Sequence, residues 1–109
     1  MPRFGLQTTA IGPVALITLR GELDVLATAE LESELERVTE DVVALDLRSL
    51  LFLDSAGLRT ILLARDRLGS EDRRLVLVRG SRDVQRVFEL TRTTLRLEFV
   101  DAPEHVHHY

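Results

Sequence analysis

The sequence has no cysteine, no lysine and no tryptophan. Without Cys, disulfides, thiolate metal sites and a Cys nucleophile are excluded. Without Lys, so are a Walker-type phosphate loop, a Schiff-base enzyme and a Lys-dependent receiver domain. All 14 basic residues are Arg. Histidine is confined to His105, His107 and His108 near the C-terminus, where a catalytic base would be poorly held. No apolar run approaches the length of a membrane span, and the N-terminus lacks the apolar core of a signal peptide. A cytoplasmic protein without a membrane partner is expected. The net charge of −4 provides no basic stripe and argues against nucleic acid as a partner.

What is present is enough for one core. A chain of 109 residues with 45% hydrophobic content forms one domain and buries about two-thirds of its extended-chain surface. β-leaning runs at residues 4–9 and 14–19 flank the turn signal Gly12-Pro13 and predict an antiparallel hairpin. Gly21-Glu22-Leu23-Asp24 breaks the second strand, and Asp24 is a natural N-cap for a helix over residues 25–39. In that helix Ala27, Leu31, Leu35 and Val38 hold the apolar period. The acidic run Glu30, Glu32, Glu34 and Glu36 has its commonest meaning, a solvated face.

Residues 43–47 read as a strand buried on both faces. Leu58, Ile61, Leu62, Leu63 and Leu68 then follow helical spacing up to the stop signal Gly69. Residues 74–79 give another buried strand, and Ser81 caps a third helix lined by Val84, Val87, Phe88 and either Leu90 or Thr91. Leu95, Leu97 and Phe99 alternate as a last strand near an edge. Leu31, Leu45, Leu47, Ile61, Leu62 and Val76 are the expected core. The order predicts an α/β domain over residues 1–100, with a mixed, mostly parallel sheet of about five strands and three helices largely on one face. Residues 101–109 are expected to be a short, loose polar tail.

The chemistry concentrates at Leu53-Asp54-Ser55-Ala56-Gly57, where the chain leaves the sheet and begins a helix. Ser or Asp at such a junction accepts hydrogen bonds from the free N–H groups of the first turn. Those N–H groups and the helix dipole also favour an added anion, so Ser55 is placed both to cap a helix and to carry a phosphate. Ser55 is no nucleophile elbow, because Leu53 stands where that motif needs Gly. Asp24, Asp46 and Asp54 invite comparison with an acidic metal pocket, and Asp24 and Asp54 should share one rim of the sheet. Caps and turns are the commoner role of such residues, and no metal or cofactor is assigned.

Gly21-Glu22-Leu23-Asp24, together with Phe52-Leu53-Asp54-Ser55-Ala56-Gly57-Leu58, resembles the STAS domain, specifically bacterial anti-sigma-factor antagonists. Residues 84–91, Val-Gln-Arg-Val-Phe-Glu-Leu-Thr, are similar to that family's third helix, and the likeness spans residues 14–99. The resemblance implies a protein that is not an enzyme and that binds an anti-sigma factor which is also a Ser kinase. Binding releases the sigma factor. The kinase phosphorylates the Ser after the motif's Asp, here Ser55, and a metal-dependent Ser phosphatase restores it. The partner-contacting positions carried over are Asp24, Asp54, Ser55, Ala56, Gly57, Leu58 and Arg59.

Three features depart from the family pattern. Arg59 stands where small residues are frequent, Arg92-Thr93 replaces a Gly-Leu turn, and the tail is too short for a full last helix. The resemblance also admits a STAS subunit of a transport or lipid-trafficking complex. A small nucleotide- or ligand-binding protein using the same rim is the other alternative.

Overall fold

A computed structural model of the chain describes residues 3–107. The hairpin forms as expected. Strands β1 (Phe4–Ile11) and β2 (Val14–Leu23) pair antiparallel in an unbroken register from Ile11↔Val14 to Phe4↔Gly21. Gly12 adopts a φ of 58° in the two-residue turn, a conformation that costs Gly little. Helix α1 (Thr28–Arg37), strand β3 (Val42–Leu53), helix α2 (Ser55–Ser70), strand β4 (Arg74–Val78), helix α3 (Arg82–Leu90) and strand β5 (Glu98–Val100) follow. The sheet has five strands in the order β1-β2-β3-β4-β5, parallel from β2 onward. This is the predicted mixed sheet with its N-terminal hairpin.

The three helices cover one face. Ala15, Ile17, Leu19, Val43, Leu45, Leu47, Leu75 and Leu77 point into a cluster closed by Leu31, Leu35, Leu58, Ile61, Leu68, Val84 and Phe88. Phe88 meets Phe99 edge to face at 5.1 Å, an arrangement aromatic quadrupoles favour. The alternate residues Val42, Ala44, Val76 and Val78 are buried too, on the opposite face of the pleat.

Several local expectations change. β2 does not stop at Gly21. It continues to Leu23 through register irregularities after Thr18 and Gly21, with Gly21 at φ 83°. β3 likewise runs on to Leu53 rather than ending near Leu47. In α2, Leu63 is exposed and Leu62 only half-buried, while Thr60 and Ala64 are buried. Leu95 is not a strand residue. It lies in a 3-10 turn, Thr94–Arg96, and is 99% exposed, and Leu90 is exposed as well.

The Arg92-Thr93 turn closes without glycine. Arg92 takes a left-handed φ of 60°, and the Thr93 N–H donates to the Phe88 carbonyl at 2.9 Å, ending α3 as a Gly-bearing cap would. The described part of the tail, residues 101–107, folds back on the domain rather than hanging loose. It forms a 3-10 turn, Pro103–His105, and the Arg74 guanidinium donates to the His107 carbonyl at 2.5 Å. Pro103, Glu104 and Val106 flank a cleft of about 260 Å3 with Ile11, Val14 and Leu16, so the segment crosses the face away from the helices. His108 lies outside the described residues.

Candidate functional site

The parallel pairing of β2 with β3 fixes the geometry of one rim. Leu23 and Leu53 are the last register partners, and the Asp54 N–H donates to the Leu23 carbonyl at 3.2 Å. The next residues on the two strands, Asp24 and Asp54, therefore leave the sheet side by side. The two carboxylates share a rim, as expected.

They act as turn-formers in different ways. Asp54 is the N-cap of α2, in extended conformation, and its carboxylate accepts the Gly57 N–H at 2.9 Å. Asp24 is not the N-cap of α1. Its Oδ1 accepts the N–H groups of Leu26 and Ala27 at 3.1 and 3.2 Å, which folds residues 24–27 into a turn. α1 starts later, behind Ala27, with no side-chain cap.

Ser55 is the first residue inside α2 and is exposed. Since Asp54 does the capping, the Ser55 hydroxyl is left without a hydrogen bond to any described residue. Two chemical roles that the sequence assigned jointly to Ser55 are divided between neighbours. Arg59, one turn on, is exposed on the same side of the helix. Ala56 is half-buried, whereas Gly57 and Leu58 are buried. A Cβ at Gly57 would sit 2.6 Å from the Leu23 carbonyl oxygen and 2.8 Å from Leu53 Cδ1. Glycine thus lets the first turn of α2 lie against the end of β2. Gly57 and Leu58 hold the site together from beneath, and its accessible surface is Asp24, Asp54, Ser55 and Arg59.

Asp46 does not belong to this rim. It sits within β3, 3% exposed, opposite Thr18. The Arg48 guanidinium grips it at 3.0 and 2.8 Å, and the Arg48 N–H adds a bond at 3.1 Å. Burial pushes the Asp46 carboxyl up, but the Arg48 side-chain and backbone bonds outweigh it and leave its pKa lowered. Among the described residues no group of three or more His, Cys, Asp or Glu side chains is placed to hold a metal ion.

Arg3 completes the rim and was missed in the sequence. Its guanidinium forms an ion pair with Asp24 and lies 3.5 Å from Glu22. The signal was present in the hairpin register, since counting back from the two-residue turn sets residue 3 opposite residue 22. The Glu22 N–H does donate to the Arg3 carbonyl, at 2.5 Å. Val25, Leu26, Leu51 and Phe52 are exposed apolar residues at the same end of the sheet, and periodicity alone gave no reason to single them out.

Residues 6–103 match the family model of the STAS domain. The chain belongs to the STAS domain family. Among solved structures, this STAS domain is similar to an anti-sigma factor antagonist from Mycobacterium paratuberculosis, with a TM-score of 0.84 at 19% identity over 93% of this chain and 88% of that one. It is also similar to the anti-sigma factor antagonist SpoIIAA in its unphosphorylated form, with a TM-score of 0.76 at 21% identity over 92% and 91% of the two chains. The Bacillus cell fate determinant SpoIIAA in its phosphorylated form gives 0.71 at 20% identity, over 92% and 95%. At these identities the likeness is one of fold. Comparison of the STAS domain sequence with curated proteins finds no match. No helix among its described residues is long and apolar enough to cross a membrane.

Proposed function

We propose that this STAS domain is an anti-sigma-factor antagonist, a docking module switched by phosphorylation of Ser55. The observation that carries the reading is the exposed Ser55 hydroxyl at the first position of α2, relieved of capping by Asp54. A free hydroxyl there is accessible to a kinase and sits where helix N–H groups and the dipole receive a phosphate. The solved structures of SpoIIAA include an unphosphorylated and a phosphorylated form, and this fold resembles both.

The partner is an anti-sigma factor acting as a Ser kinase, met by the rim of Asp24, Asp54, Ser55 and Arg59 with its exposed apolar neighbours Leu26 and Phe52. A Ser phosphatase reverses the modification. The protein itself binds and does not catalyse. Among the described residues no base is hydrogen-bonded to the Ser55 hydroxyl, and Asp54 serves as the cap that accepts the Gly57 N–H. The place of action is the cytoplasm.

Phosphate brings about −1.5 to −2 charges to Ser55. The helix terminus favours it and the Asp24 and Asp54 carboxylates oppose it, each by on the order of 1 kcal/mol at an exposed site. The balance is on the order of 1 kcal/mol against the phosphate, small beside a domain's usual stability of about 5–15 kcal/mol, so the fold persists and the partner is lost through repulsion and steric block. The test is a kinase recovered by pull-down from the source cells, mixed with the protein and ATP. Ser55 should gain one phosphoryl group and the complex should dissociate. Ser55→Ala should bind and never release, and Ser55→Asp should bind poorly. Phosphorylation elsewhere, or equal binding by Ser55→Asp, would overturn the reading.

A further inference from the structure

A wide cleft lies at the other end of α2, about 15 Å along the helix from Ser55 to Arg65. It has a volume of about 550 Å3 and opens between the last turns of α2, the start of β4 and the 3-10 turn before β5. Ligand pockets commonly enclose about 300–1,000 Å3. Four arginines and two acidic residues, Asp66 and Glu98, line it, in a chain where acidic residues outnumber basic ones by 18 to 14. The charge there is opposite to that of the whole protein.

The four arginines are not equivalent. Arg73 is fixed by the Glu40 and Val38 carbonyls at 2.9 and 3.0 Å, and by Glu71. Arg74 is gripped by Glu98 at 2.9 and 2.5 Å. These two are held in place, each with a carboxylate partner. On the walls stand Arg65 and Arg96. Arg65 has only the exposed neighbour Asp66, at 3.1 Å, a contact of little strength in water. Arg96 has no ion pair or side-chain hydrogen bond to any described residue. Both can turn to an incoming anion, and the guanidinium fork suits phosphate or carboxylate oxygens.

The remaining lining is aliphatic. Leu75 and Leu97 form a buried floor, and Leu95 stands at the mouth with 99% of its surface exposed. Among the described residues no aromatic side chain lines the cleft, so none of them is placed to stack a nucleobase. Two of the last α2 carbonyls are hydrogen-bonded, that of Leu68 by Arg73 N–H at 2.8 Å and that of Gly69 by Asp72 N–H at 3.2 Å.

We propose that this cleft is a second site, separate from the Ser55 rim, that binds a small anion with a short aliphatic part. The head lies between Arg65 and Arg96, and the chain lies on Leu75, Leu95 and Leu97. The inference does not depend on the docking reading. Phosphate monoesters and carboxylates share this chemistry, and a titration tells them apart. The full chain, labelled with 15N, is titrated with inorganic phosphate, hexyl phosphate, hexanoate and hexylammonium, and amide shifts are followed.

Hexyl phosphate or hexanoate should saturate, with shifts at Gly69, Leu75 and residues 95–98. The tighter of the two identifies the head group, and inorganic phosphate should bind about tenfold more weakly. Arg96→Gln should weaken the hexyl anions about tenfold, and Leu95→Ser should cancel their advantage over phosphate. Both side chains are exposed, so folding is spared. No saturation, shifts confined to the Ser55 end, equal binding of hexylammonium, or parent-like affinity in Arg96→Gln would overturn the proposal.

Discussion

Asp54 and Ser55 look interchangeable on paper, since both residue types are strong N-caps. The backbone separates them. Because Leu53 still pairs with Leu23 and the Asp54 N–H is spent on the Leu23 carbonyl, the helix begins only after Asp54. Asp54→Ala should therefore cost about 1 kcal/mol, while Ser55→Ala should stay within about 0.5 kcal/mol of the parent. Urea unfolding of the two variants checks this, and a larger loss in Ser55→Ala would make the hydroxyl a structural cap. The sequence located this junction to the residue but could not divide its labour. That division depends on where a neighbouring strand ends, which is a long-range fact. Arg3 was hidden for a similar reason, since its contact with Asp24 spans 21 residues.

The elements were easiest to read where burial follows one period, and hardest where two neighbours compete for a side. In α2, Leu58, Ile61 and Leu68 go inward as the period demands. Beside them the small Ala64 and Thr60 are buried and Leu63 is left outside. Gly57 sets the tilt of the helix at its start, where a Cβ would meet Leu23 of β2 and Leu53 of β3, and further along Thr60, Leu63 and Ala64 line a cleft of about 210 Å3 shared with Leu35 of α1. Ile61→Ala should cost roughly 2–5 kcal/mol through the cavity it leaves, Leu62→Ala less, and Leu63→Ala within about 0.5 kcal/mol. Equal losses at Ile61 and Leu63, measured as shifts in urea midpoint, would mean the helix is rotated from this orientation. Alternation misled at Leu95 for a comparable reason. The left-handed turn at Arg92 and the Thr93 bond to Phe88 hold the chain off the sheet until Glu98.

At the scale of the molecule the fold class was legible, because alternating strand and helix signals leave few ways to connect a parallel sheet. Acid sensitivity was not. Glu34 on α1 is held at a pKa of about 2, well below its ordinary 4.5, by the Arg37 guanidinium first and then by the Thr8 hydroxyl on β1. The folded form thus releases this proton more readily than the unfolded chain. The stabilisation is full above about pH 4.5 and is lost as pH falls toward 2. Melting temperature should drop across that window, and the drop should be smaller in Glu34→Gln. Identical profiles for the two proteins would assign the acid loss to other carboxylates, Asp46 foremost.

The sheet order β1-β2-β3-β4-β5 is also the order of the chain. A ribosome delivering this protein therefore never has to leave a vacancy between two strands for a later one to fill. Each strand emerges to find its only earlier neighbour already made, and assembly can advance as a front from the hairpin toward β5. Pulse-labelled hydrogen exchange during refolding should show amides of β2 and β3 protected ahead of those in β5. Simultaneous protection of all five strands would mean that the growing edge is not a stopping place and that the sheet closes in a single event.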